Sequence, residues 1–94
     1  MLNYSFDGRY LKTRVGKRLA ELDRNYIKSP TGSRIGEIDR TYIKDPQGRR
    51  IAEFDGENIK DSSRRRIATL QDIKKVIDGV GGISLVALWL LVVR

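Results

Sequence analysis

The sequence predicts a mainly-β protein: four tandem 16-residue β-hairpin repeats in a curved, pseudo-symmetric sheet, with a C-terminal apolar helix. Three observations carry this prediction. A 16-residue period runs from Tyr10 to Ile73, turn-forming residues return at the same two places in each period, and charge vanishes between Ile83 and Val93. A fixed short period marks an architecture in which each unit buries its apolar side against its neighbours.

The units read YLKTRVGKRLAELDRN (Tyr10–Asn25), YIKSPTGSRIGEIDRT (Tyr26–Thr41), YIKDPQGRRIAEFDGE (Tyr42–Glu57) and NIKDSSRRRIATLQDI (Asn58–Ile73). Upstream, Phe6-Asp7-Gly8 aligns with Phe54-Asp55-Gly56, so residues 1–9 are expected to supply a half-repeat strand. The organisation expected is therefore 1–9 as that strand, 10–73 as the four hairpins, and 70–94 as a helix and apolar tail packing on them.

Inside a unit, Ser29-Pro30-Thr31-Gly32 and Asp45-Pro46-Gln47-Gly48 place Pro and Gly where a type I turn followed by a left-handed bulge residue wants them. A three-residue loop of this kind sets Ile27 opposite Ile35 and Ile43 opposite Ile51. It also puts Tyr26 across from Gly36, and Tyr42 across from Ala52. A two-residue loop would pair Ile with Arg and is rejected. At the junctions between units, a two-residue loop pairs Ile38 with Ile43 and Phe54 with Ile59. The same register faces Glu21, Glu37 and Glu53 with Lys28, Lys44 and Lys60.

These registers conflict in one respect. Ile35 and Ile38 are three apart, and strict alternation sends them to opposite faces. They share a face only if the strand bulges, and the small residues Ala20, Gly36, Ala52 and Ala68 sit at that step. A sharply curved sheet is the expectation.

The fourth unit departs from the pattern. Arg64 stands at the turn glycine position, and Thr69-x-x-Asp72 ahead of an apolar run has the form of a capping box. Leu70, Ile73, Val76, Ile77 and Val80 follow helical spacing, which predicts a helix from Leu70 to Asp78 ended by Gly79. The tail Ile83–Val93 would be about 16 Å long as a helix, roughly half a bilayer core. It has three readings: a core helix, a homo-oligomer contact, or a membrane anchor. The first disposes of two apolar surfaces at once.

Composition narrows the chemistry. The chain has 94 residues, net charge +7, no Cys and no His. Disulfides, thiolate metal sites and a neutral-pH histidine base are thereby excluded, and no cofactor is expected. The N-terminus has no apolar run of the kind a signal peptide needs, and a cytoplasmic location is expected, with membrane association through the tail as the alternative. Glu21, Glu37 and Glu53 recur, as do Asp7, Asp23, Asp39 and Asp55. Duplication and turn chemistry account for both sets without catalysis. Arg18, Arg34, Arg50 and Arg66 form one basic column and Lys12, Lys28, Lys44 and Lys60 another, facing it across each hairpin. These eight residues are the candidate anion-binding set, and Tyr10, Tyr26 and Tyr42 the candidate stacking surfaces.

The aligned pattern Tyr-Ile-Lys-Asp-x-x-Gly-Arg-Arg-Ile-Gly/Ala-Glu-Ile-Asp resembles the hairpin repeats of the bacterial β-flower proteins, over about Asn3 to Ile73. More weakly, it is similar to the YD repeats of bacterial toxin shells. The first resemblance implies a pseudo-rotational arrangement of short hairpins and no catalytic residues. Together these readings point to a non-enzymatic structural or protein-interaction module, oligomerised or tethered through its tail. The alternative is a basic domain that binds nucleic acid or another anionic surface.

Overall fold

A computed structural model describes residues 3–79 and 81–94. Ten strands form one sheet: β1 (Tyr4–Phe6), β2 (Tyr10–Thr13), β3 (Arg18–Asp23), β4 (Tyr26–Lys28), β5 (Arg34–Asp39), β6 (Tyr42–Lys44), β7 (Arg50–Phe54), β8 (Asn58–Asp61), β9 (Arg66–Thr69) and β10 (Ile77–Gly79). Helix α1 (Leu70–Lys74) separates the last two strands. Helix α2 (Ile83–Leu88) runs on into a wider π-type turn at Trp89–Val93.

Strands β1 to β9 follow chain order as antiparallel neighbours, and β10 pairs in parallel with β1. The sheet is not closed, because β9 and β10 are its two edges. Helix α1 touches both of them, so the two ends lie about one helix apart. Ten strands at about 4.8 Å spacing would measure roughly 43 Å across if flat. The longest extent of the molecule is 35 Å. The sheet therefore bends round, with its concave face on α2.

Within each hairpin the predicted three-residue loop is present. In the second, Gly32 N–H donates to Ser29 O (2.9 Å) and Ser29 N–H to Ser33 O (2.7 Å), with Gly32 at φ +93°. The first residue of every such loop also accepts a side-chain bond from the backbone four residues on. Lys17 N–H reaches Thr13 Oγ1, Ser33 N–H reaches Ser29 Oγ, and Arg49 and Arg65 N–H reach Asp45 and Asp61 Oδ1. A short oxygen-bearing side chain at that position fixes the turn in all four units.

The register beyond the loop differs from the expectation by one residue. Lys28 faces Arg34 as predicted, but Ile27 faces Gly36 and Tyr26 faces Glu37, with a bulge between Ile27 and Lys28. The same shift puts Ile43 opposite Ala52 and Tyr42 opposite Glu53. Ile35 and Ile51 are the extra bulge residues and are half-buried, not cross-strand partners. The bulge resolves the alternation conflict. Inserting one residue lets Gly36 and Ile38 share the inner face with Ile27 and Ile43. The junction registers are those expected: Leu22 faces Ile27, Ile38 faces Ile43 and Phe54 faces Ile59.

The core follows from this register. Leu11, Ile27, Ile43 and Ile59, one from each unit, are fully buried, as are Leu85, Val86, Ala87 and Leu88 of α2. The tail thus supplies the second layer of a core that a one-sided sheet lacks. No helix among the described residues is long and apolar enough to cross a membrane.

The predicted capping box is present: Asp72 N–H donates to Thr69 Oγ1, and Thr69 N–H to Asp72 Oδ2. The helix it starts is shorter than the predicted Leu70–Asp78, and ends at Lys74. Ile77–Gly79 instead form β10, with Tyr4 N–H donating to Val76 O (3.2 Å). The open edge of β1 offers backbone partners that helical spacing cannot register. β-Branched Val76 and Ile77 are well suited to accept them. Val80, placed on the helical stripe by its spacing, lies outside the described residues.

Candidate functional site

The outer face of the sheet carries a repeated row of side chains. Cross-strand pairing runs Tyr10–Glu21–Lys28–Arg34, then Tyr26–Glu37–Lys44–Arg50, then Tyr42–Glu53–Lys60–Arg66. Each row arises because alternation turns these residues outward while their neighbours turn into the core. The two predicted basic columns do meet, since Lys12, Lys28, Lys44 and Lys60 face Arg18, Arg34, Arg50 and Arg66.

Consecutive rows are joined by cation–π stacks. The guanidinium carbons of Arg18, Arg34 and Arg50 lie 3.9, 3.8 and 3.9 Å from the ring centroids of Tyr10, Tyr26 and Tyr42. Each stack contributes about 0.5–1 kcal/mol at an exposed site and holds the arginine in one orientation. The tyrosine faces predicted as stacking surfaces are thus already occupied by arginine. In the fourth unit Asn58 stands where the others have Tyr, and Arg66 has no such ring.

The lysines do not pair with the glutamates they face. Lys28 Nζ lies 2.6 Å from Asp23 Oδ2 and Lys44 Nζ 2.8 Å from Asp39 Oδ2, with Lys12 and Asp7 at 3.6 Å. The diagonal junction aspartate wins over the directly opposed glutamate. Glu21 is bound instead by Arg9 (2.9 Å). Glu37 and Glu53 make no ion pair with any described residue.

The junction aspartates Asp7, Asp23, Asp39 and Asp55 are held below the ordinary carboxylate range. Lys28 and Lys44 do this for Asp23 and Asp39. Backbone N–H groups of Tyr10 and Asn58 do it for Asp7 and Asp55. Carboxylates stabilised as anions in this way are poor proton donors at neutral pH. No cluster of three or more acidic residues that could hold a metal ion occurs among the described residues.

Three outward clefts recur at equivalent positions, each between one hairpin and the turn of the next. The first (130 Å³) is lined by Tyr10, Arg18, Ala20, Glu21, Ser29 and Pro30. The second (230 Å³) has Tyr26, Arg34, Gly36 and Glu37 facing the Asp45–Gly48 turn. The third (510 Å³) has Tyr42, Arg50, Ala52 and Glu53 facing Lys60, Asp61, Ser62 and Arg64. The stacked arginines are thus part of a cleft series. Arg18, Arg34, Arg50 and Lys60 belong to the basic columns expected from the sequence, whereas the glutamates and Arg64, noted there only as a break in the turn pattern, were not in the anion-binding set. The departure of Arg64 from the turn glycine was the available signal.

Arg64 has φ +68° where the other units have Gly16, Gly32 and Gly48 at +91°, +93° and +85°. A side chain in that region costs about 1–2 kcal/mol. Arg24 and Arg40 also adopt positive φ, at the junction loops, but line none of the three clefts. No protein-family model, curated protein or solved structure matches the chain.

Proposed function

We propose that the protein is a non-enzymatic interaction module whose outer face binds an acidic segment of a protein partner. One observation carries the reading: the same cleft, built from the same alignment columns, recurs in three successive hairpins. Repetition of this kind suits an extended ligand that meets several weak, equivalent contacts at once. The net charge of +7 favours an anionic ligand. Arginine already lies over one face of each tyrosine ring, which reduces the platform that base stacking needs and favours a peptide over a nucleic acid. The tail acts in this reading as core and not as tether, supported by the burial of Leu85–Leu88. The likeness to β-flower hairpin repeats belongs to the same reading, supported by the hairpin series.

Fluorescence anisotropy with the full chain tests it, using a labelled Glu/Asp-rich dodecapeptide and a labelled single-stranded oligonucleotide. The peptide is expected to bind, and the triple substitution Arg18→Gln, Arg34→Gln, Arg50→Gln to weaken it about tenfold. Chemical-shift mapping on the unmodified chain should place the peptide on the Tyr–Glu–Lys–Arg rows. Tighter binding of the oligonucleotide, with a steep salt slope, would transfer the assignment to nucleic acid. Absence of peptide binding would remove the reading.

A further inference from the structure

We infer that the third cleft is a binding site for a phosphate group, with Arg50, Lys60 and Arg64 as its donors. The inference rests on the anionic-partner reading and names the group that its widest cleft is built to take. The three clefts share an ancestry but differ in charge. The first is lined by one cation and one carboxylate, and the second by one cation and two carboxylates. The third has three cations against two carboxylates, making it the positive one of the series. It is also the largest, at 510 Å³.

Two features turn that charge into a site. The Arg50 guanidinium carbon lies 3.9 Å from the centroid of the Tyr42 ring, which anchors at the cleft a group able to present paired donors to an oxyanion. On the opposite wall, Arg64 occupies a backbone conformation that its three counterparts meet with glycine. The turn needs a left-handed residue there, which glycine supplies at no steric cost in the other units, so folding does not call for the arginine, and strained residues of this kind are enriched at ligand sites. The two carboxylates compete weakly. Asp61 Oδ1 already accepts from Ser63 N–H, Ser63 Oγ and Arg65 N–H, and Glu53 makes no ion pair with Lys60, which it faces across the strands, so that lysine is left for the anion. A tetrahedral dianion with three free oxygens suits three cationic donors lining one cleft better than a planar carboxylate does.

The test is an NMR titration of the 15N-labelled full chain at low salt. The probes are inorganic phosphate, a phosphoserine-containing acidic peptide and its unphosphorylated counterpart. Inorganic phosphate is expected to shift the signals of Arg50, Lys60 and Arg64. The phosphopeptide should bind at least fivefold more tightly than the unphosphorylated one. Arg64→Gly restores the glycine of the other turns, so the fold is retained and the melting temperature should rise slightly, and it should erase that fivefold difference. Phosphate-dependent shifts without peptide binding would keep the site, identify free phosphate as its ligand and remove the acidic-segment reading. Shifts spread evenly over all basic columns, or Arg64→Gly without effect, would overturn the site. In that case, binding of the unphosphorylated peptide would leave the interaction reading standing.

Discussion

Gly36 is the one position of its column that is not alanine, and Gly36→Ala should destabilise the protein although Ala20, Ala52 and Ala68 stand at the equivalent places. A methyl group at residue 36 would collide with Leu91 Cδ1, lie 3.0 Å from Leu91 Cδ2, and lie 2.9 Å from the carbonyl oxygen of Lys44. Leu91 can rotate away. The Lys44 carbonyl belongs to the β5–β6 ladder and cannot move without breaking it. Overpacking of this kind costs about 1–3 kcal/mol. Replacing glycine reduces the freedom of the unfolded chain and returns about 0.4–1 kcal/mol, leaving a net loss of roughly 1–2 kcal/mol. Urea unfolding followed by the fluorescence of Trp89, the single tryptophan, reports it directly, because that residue lies on the same helical turn as Leu91. Leu91→Ala in the Gly36→Ala background should recover part of the loss, a coupling of about 1 kcal/mol in a double-mutant cycle. A Gly36→Ala protein as stable as the parent, or additive behaviour of the pair, would show that the tail does not cross the sheet over β5.

The remaining predictions address the tail, the turns and pH. Leu88→Ala should cost about 3–5 kcal/mol, measured by the same unfolding assay, since Leu88 is fully buried. Deleting Ile83–Arg94 removes three fully buried Leu or Val side chains worth roughly 5–8 kcal/mol, comparable with the whole stability of a small domain. The truncated chain should therefore lose its β signature in circular dichroism, and a cooperative unfolding transition in it would contradict the core reading. Arg40→Gly, relieving a positive φ of 59° at an exposed loop, should raise stability by about 1 kcal/mol in thermal unfolding. Seven aspartates, Asp7, Asp23, Asp39, Asp45, Asp55, Asp61 and Asp72, are held below their ordinary value by turn and cap N–H and hydroxyl donors or by basic partners. The unfolded state then binds more protons than the folded one at acid pH. Stability should be level near neutrality and fall as pH drops below about 4, where unfolded aspartate begins to protonate. A urea midpoint that is unchanged or higher at pH 3 than at pH 7 would refute this.

Much of this architecture was legible because duplication repeats each physical constraint four times. One Pro-x-Gly turn is a weak signal. The same turn at a 16-residue period, with Ile and Lys at fixed distances from it, determines the strands, the loop length and the inner face. The junction registers were accessible for the same reason. The bulge position was less so: the apolar residues Leu19, Ile35, Ile51 and Ile67 look like core partners in sequence, and only the packing of the neighbouring hairpin decides that the small residue after each takes the inner place. The ion pairs were misjudged because facing positions were weighed and diagonal ones were not. Lysine is long enough to reach the junction aspartate on the diagonal. Strand β10 was hidden because a three-residue strand has no periodicity of its own. Its existence depends on the open edge of β1, some 70 residues earlier in the chain.

The departures from the repeat carry more information than the repeat itself. A duplicated unit satisfies requirements that every hairpin shares, so a residue that breaks its column answers to something the other hairpins do not meet. Gly36 breaks the alanine column where the tail crosses the sheet. Thr69 and Asp72 replace the junction turn where the last strand must stop and a helix begin. Asn58 removes a tyrosine, which leaves Arg66 unstacked and ends the ladder of arginine–tyrosine contacts. Each of these meets a singular structural element. Arg64 breaks the glycine column without any such element beside it, and of the three clefts described its side chain lines the one with an excess of cations. A break that folding does not require, at a cost in backbone strain, is the position where selection for binding is most directly readable. Substituting it separates fold from function more cleanly than any residue of the repeated columns.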